Sequence, residues 1–295
     1  EAAKYGKTLK APRRELLVAA MEQDDVAESV HWAKDLLAVD PADPDALYVL
    51  ASEGLEDRAP VIPEVKRHLK ALEAAKAPAV RVAYVKARLA QATGDDAGRE
   101  AVLAPSRSWS LPEGAGPVDR SALLRLRALD VETTTDPARL PDRVKSLQTV
   151  ARAIARDDEA AAARVMRLSL VLERVQKSLT TVASQADPAA RKGVEALVDS
   201  VEEDVEAIFR KALTAASKTD LHIYLTYADH LRYRGKNARC LEAVSEALKS
   251  PLAGLATSAE VVMGLHAVAV EAALGDTKDP ARFDKAAPHI KELLA

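Results

Sequence analysis

Paired helical segments that recur about every 34 residues constrain the fold of this chain more than any other feature. The clearest pair lies between Leu221 and Pro251. Its first segment has large apolar residues at helical spacing and ends at Gly235, and a second such segment follows to Leu248. Glycine suits the left-handed residue with which many helices end. We therefore predict a helix, a turn and a second, antiparallel helix in this stretch.

The same pattern recurs elsewhere in the chain, and the composition agrees with it. Two units in one register begin near Lys10 and after Pro44, and weaker copies follow up to residue 103 and from Val262 onwards. Only 11 of the 295 residues are glycine. Five Asp-Pro pairs stand where helices are expected to start, because aspartate caps a helix and proline suits its first turn. We predict an all-α chain.

The residues at the packing positions resemble a known repeat. They are Tyr224, Tyr227, Ala228 and Leu231 in the first helix and Cys240, Val244 and Ala247 in the second. Their spacing is similar to that of the tetratricopeptide repeat, over residues 10–103 and 219–295. The resemblance implies a right-handed α-solenoid of antiparallel helix pairs, whose concave face is lined by the first helix of each pair. Such a face holds an extended peptide or a helix of a partner protein.

The resemblance also implies which residues line the concave face. They are His222, Leu225, Asp229, Arg232 and Tyr233 in the unit that starts at Leu221, and Tyr48 and Ser52 in the unit after Pro44. All of them are therefore expected to be exposed to a partner. Tetratricopeptide proteins that clamp a terminal carboxylate use lysine and asparagine at these places. This chain has neither, so that specificity is not carried over.

Two regions interrupt the repeats, which occupy residues 1–103 and 219–295. Residues 104–119 form a loop rich in proline, serine and glycine that contains Trp109. Either the indole packs back on the helices, or the loop contacts a ligand and Trp109 is a further partner-binding residue. Residues 120–218 form a helical middle region, which is either a set of degenerate repeats or an insertion.

The middle region contains a longer helical hairpin over residues 158–216. Apolar residues recur at alternating spacings of three and four on each side of Asp187-Pro188. The two seams are Val165, Leu168, Leu172, Val175, Leu179 and Val182, then Val194, Val198, Val201, Val205, Ile208 and Ala212. Heptad seams of this kind pack on each other in an antiparallel hairpin, or leave one seam open for another protein or a second copy.

We predict no catalytic, cofactor-binding or metal-binding residue. Cys240 is the single cysteine, and the six histidines lack metal-ligand spacing. Glu195, Asp199, Glu202 and Glu206 line one stripe of a helix, but the facing arm offers no Glu-x-x-His partner. We interpret the stripe as an ion-paired or solvated helix face.

Charge and hydropathy exclude further classes of function. The net charge of −3 and the pI near 6.2 give no electrostatic reason to expect nucleic-acid binding. No apolar run approaches the roughly 18 residues of a membrane span, so we expect no membrane insertion. The first four residues, 1–4, include neither a methionine nor a signal-peptide core.

We therefore expect a soluble piece of a longer protein, with Ala2, Ala3, Tyr5 and Leu9 ending an earlier helix. Cytoplasmic localisation is favoured over secretion, but the compartment stays open because a targeting segment could precede the piece.

Three functions remain open at this point. The first, which we predict, is a non-catalytic scaffold that binds a protein or peptide partner through the concave face. The second is self-assembly into a homo-oligomer through the long hairpin or the end repeats. The third is an enzyme in the middle region, which rests only on the acidic stripe and Trp109. The identity of the partner is not predicted.

Overall fold

A computed structural model describes residues 9–22, 25–56, 59–110, 114–155, 162–216 and 221–294. These residues form helices joined by turns, and they contain no strand. The prediction of an all-α chain is confirmed. Ala2, Ala3 and Tyr5 of the predicted earlier helix lie outside the described residues, as do residues 158–161 at the start of the predicted hairpin.

The described residues contain 14 α-helices, numbered in chain order. The first eight are α1 (Lys10–Glu22), α2 (Val26–Val39), α3 (Pro44–Glu56), α4 (Ile62–Ala74), α5 (Ala79–Ala92), α6 (Asp96–Ser106), α7 (Pro117–Glu132) and α8 (Leu140–Ala155). The others are α9 (Ala162–Gln185), α10 (Pro188–Ala216), α11 (His222–Tyr233), α12 (Asn237–Leu248), α13 (Ala259–Gly275) and α14 (Arg282–Leu293). Two short 3₁₀ helices, Pro251–Gly254 and Ala256–Ser258, connect α12 to α13.

The Asp-Pro pairs mark helix starts and turns through one repeated hydrogen bond. In each pair the aspartate accepts from the backbone N–H two residues further on, at 2.9–3.2 Å. Pro44 and Pro188 are then the first residues of α3 and α10. Glycine marks two helix ends, because Gly94 after α5 and Gly235 after α11 have φ of +70° and +69°, a conformation that other residues rarely adopt. Local sequence signals therefore place these boundaries.

The chain divides into two compact units, residues 1–158 with 170–204, and residues 159–169 with 205–295. In the first unit, α1 to α8 form four consecutive pairs, and α3 packs against α1, α2, α4 and α5. In the second unit, α11 pairs with α12 and α13 pairs with α14, while α13 also packs against α11 and α12. Each unit therefore builds its core between neighbouring helix pairs.

A partly buried ion-pair network joins helices of the first unit. The guanidinium of Arg81 on α5 pairs with Asp45 on α3 and donates to Asp119 on α7 at 2.6 Å. Arg14 on α1 pairs with Asp43 and Asp45 at the start of α3. Asp45 and Asp119 lie in the first turns of their helices, where a negative charge is also favoured by the helix dipole.

The predicted hairpin corresponds to α9 and α10, which have 24 and 29 residues. All six seam residues of α10 are buried, as are Leu168, Leu172, Val175 and Leu179 of α9. Val182 is half-buried, and the side chain of Val165 lies outside the described part. Within the first unit, Gln176 of α9 donates to Glu202 of α10 at 2.8 Å and to the carbonyl of Val198 at 3.4 Å. The two arms therefore contact each other at this level.

One stretch of the described residues, Ala256–Gly275, is long and apolar enough to cross a membrane by length and composition alone, with a mean hydropathy of 1.3. The expectation that no run reaches this length is wrong. In the structure 28% of this stretch is buried. α13, which makes up most of the stretch, buries Val261, Leu265 and Ala269 against neighbouring helices of the second unit.

Candidate interaction surfaces

The two predicted partner-binding residues on α3 are buried. Tyr48 and Ser52 are each 1% exposed, so the expectation that they face a partner surface is wrong. The physical reason is that α3 has helices packed on several sides, whereas the repeat template leaves one face of each first helix open. The Ser52 hydroxyl is satisfied within α3, where it donates to the carbonyl of Val49 at 3.2 Å.

Tyr48 belongs to a buried polar cluster instead. Its ring centroid lies 6.2 Å from that of Tyr84 on α5, whose hydroxyl donates to Glu56 at 3.1 Å. Arg125 on α7 donates to Glu53 at 3.2 Å and lies 6.0 Å from the Tyr84 ring centroid. Burial raises the pKa of Tyr84 to about 12. The Tyr48 hydroxyl is buried and has no hydrogen-bond partner within the part of the chain that is described.

The predicted residues on α11 are divided between exposed positions and contacts with α13. His222 and Asp229 are exposed, and Tyr233 is 55% exposed. Leu225 lies against Gly264 of α13, where an added Cβ would be 3.0 Å from the leucine side chain. Arg232 pairs with Asp229 at 2.6 Å and with Glu271 of α13 at 3.0 Å. Part of the predicted face is therefore a helix–helix contact within the second unit.

Trp109 is half-buried and packs against the core of the first unit. The indole therefore packs on the helices, and the role of Trp109 as a partner-binding residue stays a prediction. Buried Arg127 of α7 holds the loop by donating to the carbonyls of Ser106, Arg107 and Trp109 at 2.7, 3.1 and 2.8 Å. The neighbouring residues 111–113 lie outside the described ranges.

The acidic stripe of α10 does not form one site. Glu195 and Asp199 are exposed, whereas Glu202 accepts from Gln176 and Glu206 accepts from Arg239 at 2.7 Å and pairs with Lys236. Within the ranges described above, no group of three or more His, Cys, Asp and Glu side chains is placed to hold a metal ion.

Cys240 is completely buried, and burial raises the pKa of its thiol to about 11. At neutral pH the thiol is therefore protonated and shielded, which is the state of a structural cysteine rather than that of a nucleophile.

A pair of histidines joins α13 to α14. The Nδ1 atoms of His266 and His289 lie 2.9 Å apart, within hydrogen-bond distance. One ring therefore donates through Nδ1–H and the other accepts. Burial, followed by the neighbouring His266, lowers the pKa of His289, so the neutral form of His289 is favoured.

Sequence reasoning missed an exposed apolar stripe on α14. Phe283 is 64% exposed, Ile290 is 38% exposed, and Leu294 directly after the helix is 83% exposed. Together with the exposed Ala287 they follow a spacing of four, three and four, which places them on one helix face. Ala286, one turn before Ile290, is the buried residue next to this stripe. The spacing was present in the sequence and could have identified this stripe.

The first unit contains a trough between α2 and α4, with α3 as its floor. Its volume is about 840 Å³, and its lining is mostly apolar. No sequence signal pointed to it, because the trough depends on how far apart α2 and α4 stand.

Comparison with known proteins gives one family. The family model described as "Hydrolase N-terminal helical domain" matches residues 64–239, more than half of the chain. Neither the curated proteins nor the solved structures include a significant match. The matched range runs through the predicted repeats, the loop and the hairpin alike, so the resemblance to the tetratricopeptide repeat is wrong. Small and large residues at helical spacing satisfy any fold of paired helices, which is why the repeat pattern was misleading. The chain belongs to the hydrolase N-terminal helical domain family.

Proposed function

We propose that this chain is a non-catalytic helical domain that binds a protein, and that its partner is the catalytic part of a hydrolase. The family description supports this assignment, since it names a helical domain that stands ahead of a hydrolase in sequence. The proposal retains the right-handed α-solenoid of stacked helix pairs as the expected finer architecture.

The observation that carries the proposal is the exposed apolar surface of the second unit. Twelve large apolar side chains are exposed among the described residues, and seven of them belong to this unit. These seven are Tyr233, Leu255, Met263, Leu274, Phe283, Ile290 and Leu294. Single exposed apolar residues are ordinary, but a row of them on one helix is typical of a surface that a partner covers.

The chemistry of the buried polar groups agrees with a binding role. Charged side chains that sequence reasoning weighed as catalytic are engaged in structural contacts, as Glu202 is with Gln176 and Glu206 is with Arg239. Asp229 and Tyr233 on α11 remain proposed partner contacts because they are exposed in the same unit as the α14 stripe.

The test is a binding titration between this chain and a catalytic domain from a hydrolase that carries this helical domain. Phe283→Lys combined with Ile290→Lys should raise the dissociation constant at least about tenfold, because burial of each side chain contributes about 1.5–3 kcal/mol. Leu170→Lys is the matched control, since Leu170 is 49% exposed on a helix of the first unit. Equal affinities for all three proteins, measured by calorimetry, would contradict the proposal.

A second candidate is self-assembly, and the same α14 stripe favours it. Two copies could bury their stripes against each other in a symmetric contact. Light scattering would then give a mass above 31.6 kDa that rises with concentration and falls in the Phe283→Lys, Ile290→Lys protein. A constant mass of one chain would reject this alternative.

A further inference from the structure

The trough of the first unit lies between α2 and α4. α2 and α4 each pack against α3 but make little direct contact with each other. The space between them is lined by apolar side chains from three helices. These are Val26, Val30 and Leu37 of α2, Leu50 of α3, and Val61 and Val65 at the start of α4.

Gly54 makes the floor of the trough deeper. It lies in α3 among the lining residues, and a Cβ added there would meet Val65 Cγ2 at 3.4 Å, an ordinary contact. A larger residue is therefore tolerated by the backbone but would extend into the open space. Glycine in a helix costs about 1 kcal/mol relative to alanine, so its presence on this floor favours an unfilled groove.

The charged residues on the rim of the trough differ in whether they have an ion-pair partner. Glu53 pairs with Arg125 at 3.2 Å, and Glu56 pairs with Arg88 at 3.0 Å. In the described part of the chain, Lys34 on the rim has no ion-pair partner, and the 69% exposed Arg67 lies 3.9 Å from Glu64. Burial and the nearby Arg67 lower the pKa of His68, so this ring is neutral at pH 7. Arg67 and Glu64 therefore offset each other, and the charge left unpaired at the rim is that of Lys34.

We propose that this trough binds an amphipathic helix of a partner protein, with acidic residues beside its apolar stripe. The apolar stripe packs on the six apolar lining residues, as the fourth helix of a small bundle formed with α2, α3 and α4. An acidic residue of the partner lies close to Lys34, where the charges complement each other. The inference concerns the first unit and stands apart from the proposed hydrolase contact of the second.

The openness of the trough favours a helix over a single acyl chain. Val26 and Val61 are 51% and 56% exposed, so the apolar walls extend to the surface. Sites for small ligands usually enclose most of the ligand surface. A fatty acid would leave these valines in water, whereas a helix about as wide as α2 would cover both walls.

The experiment selects peptides from a displayed library whose members have the 14-residue length of α2. Each peptide has a fixed leucine stripe at helical spacing, and its flanking positions are randomised among glutamate, glutamine and lysine. Selection on the whole chain should enrich glutamate at the flanks. The affinity of an enriched peptide, measured by fluorescence anisotropy, should fall as salt is raised.

Gly54→Met tests the site and Gly193→Met is its matched control, because Gly193 also lies in a helix and has open space around it. We expect at least about a tenfold loss of affinity for Gly54→Met and none for Gly193→Met. Lys34→Glu, at an exposed position, should weaken the binding of the acidic peptide without affecting thermal unfolding.

Several results would overturn the proposal. They are an absence of enrichment, enrichment of lysine or glutamine at the flanks, and equal binding by the two glycine variants. Displacement of the peptide by oleate at a similar concentration would assign the trough to a lipid instead. Self-association seen by light scattering and lost in Gly54→Met would assign it to a second copy.

Discussion

The two units of this chain use their polar and apolar residues in opposite ways. In the first unit, charged groups such as Arg81 and Arg127 are buried and join neighbouring elements. In the second, the ion pair between Arg232 and Glu271 lies at the surface. This unit also contains most of the exposed large apolar side chains. Buried polar contacts require one internal arrangement, whereas exposed apolar residues leave an energetic gain for a partner. The two units therefore differ in how much of their charged and apolar side chains they bury.

The largest effect should follow from breaking the ion pairs of the first unit. Arg81→Met leaves the carboxylate of Asp119 without its cation and leaves Asp45 with Arg14 alone, and these two carboxylates are only 20% and 14% exposed. The free energy of unfolding, measured by urea titration, should fall by about 3 kcal/mol, at the lower end of the range for buried pairs.

Arg232→Met is the control in the second unit. Its partners Asp229 and Glu271 are 54% and 61% exposed, so the loss should stay below about 1 kcal/mol. Equal losses for the two variants would remove the distinction between the units.

A smaller effect on stability should distinguish Tyr84 from Tyr48, both in the first unit. Tyr84→Phe removes the hydrogen bond to Glu56 and should lower the free energy of unfolding by about 1 kcal/mol. Tyr48→Phe removes a buried hydroxyl that has no partner in the described residues, so stability should stay constant or rise. Chemical denaturation of both variants checks this. A clear destabilisation by Tyr48→Phe would mean that its hydroxyl has an interaction that the structure does not contain.

The smallest effect is on the pH dependence of stability, and it tests both units with one residue each. Burial lowers the folded-state pKa of His289 in the second unit and of His68 in the first. The unfolded chain therefore binds more protons near pH 6.5, and stability decreases as the pH falls through that value. His289→Gln and His68→Gln should each make the stability curve flatter between about pH 7.5 and 5.5.

The histidine pair predicts a larger change in slope for His289→Gln. Protonation of both rings would place two N–H groups 2.9 Å apart, which cannot form a hydrogen bond. Urea titrations at several pH values measure the slopes. An unchanged slope in both variants would show that folding lowers the pKa of neither histidine.

Local features of the structure could be predicted from the sequence, and features that depend on distant packing could not. Asp187 with Pro188, and Gly235, act on their own neighbours, so they gave correct helix boundaries. The exposure of Tyr48 depends on the helices packed around α3, which no residue of α3 encodes. The family assignment also failed, because helix pairs of different families bring small and large residues together in the same way.

The two candidate surfaces also differ in whether the sequence alone could identify them. The α14 stripe lies within one helix and could be recognised from the spacing of Phe283, Ala287 and Ile290. The trough could not, since it consists of the space that α2 and α4 leave above Gly54. Its charge balance also needs the distant partners Arg125 and Arg88, which neutralise two of the rim glutamates.

The packing of Trp109 on the core of the first unit has an optical consequence. The chain has two tryptophans, and the other, Trp32, packs against the same core. Fluorescence excited at the red edge of the indole band therefore reports on the first unit alone, while circular dichroism sums over the helices of both. When unfolding is followed by both signals at once, the fluorescence transition belongs to the first unit. A further transition seen by circular dichroism alone then belongs to the second unit, without any added label.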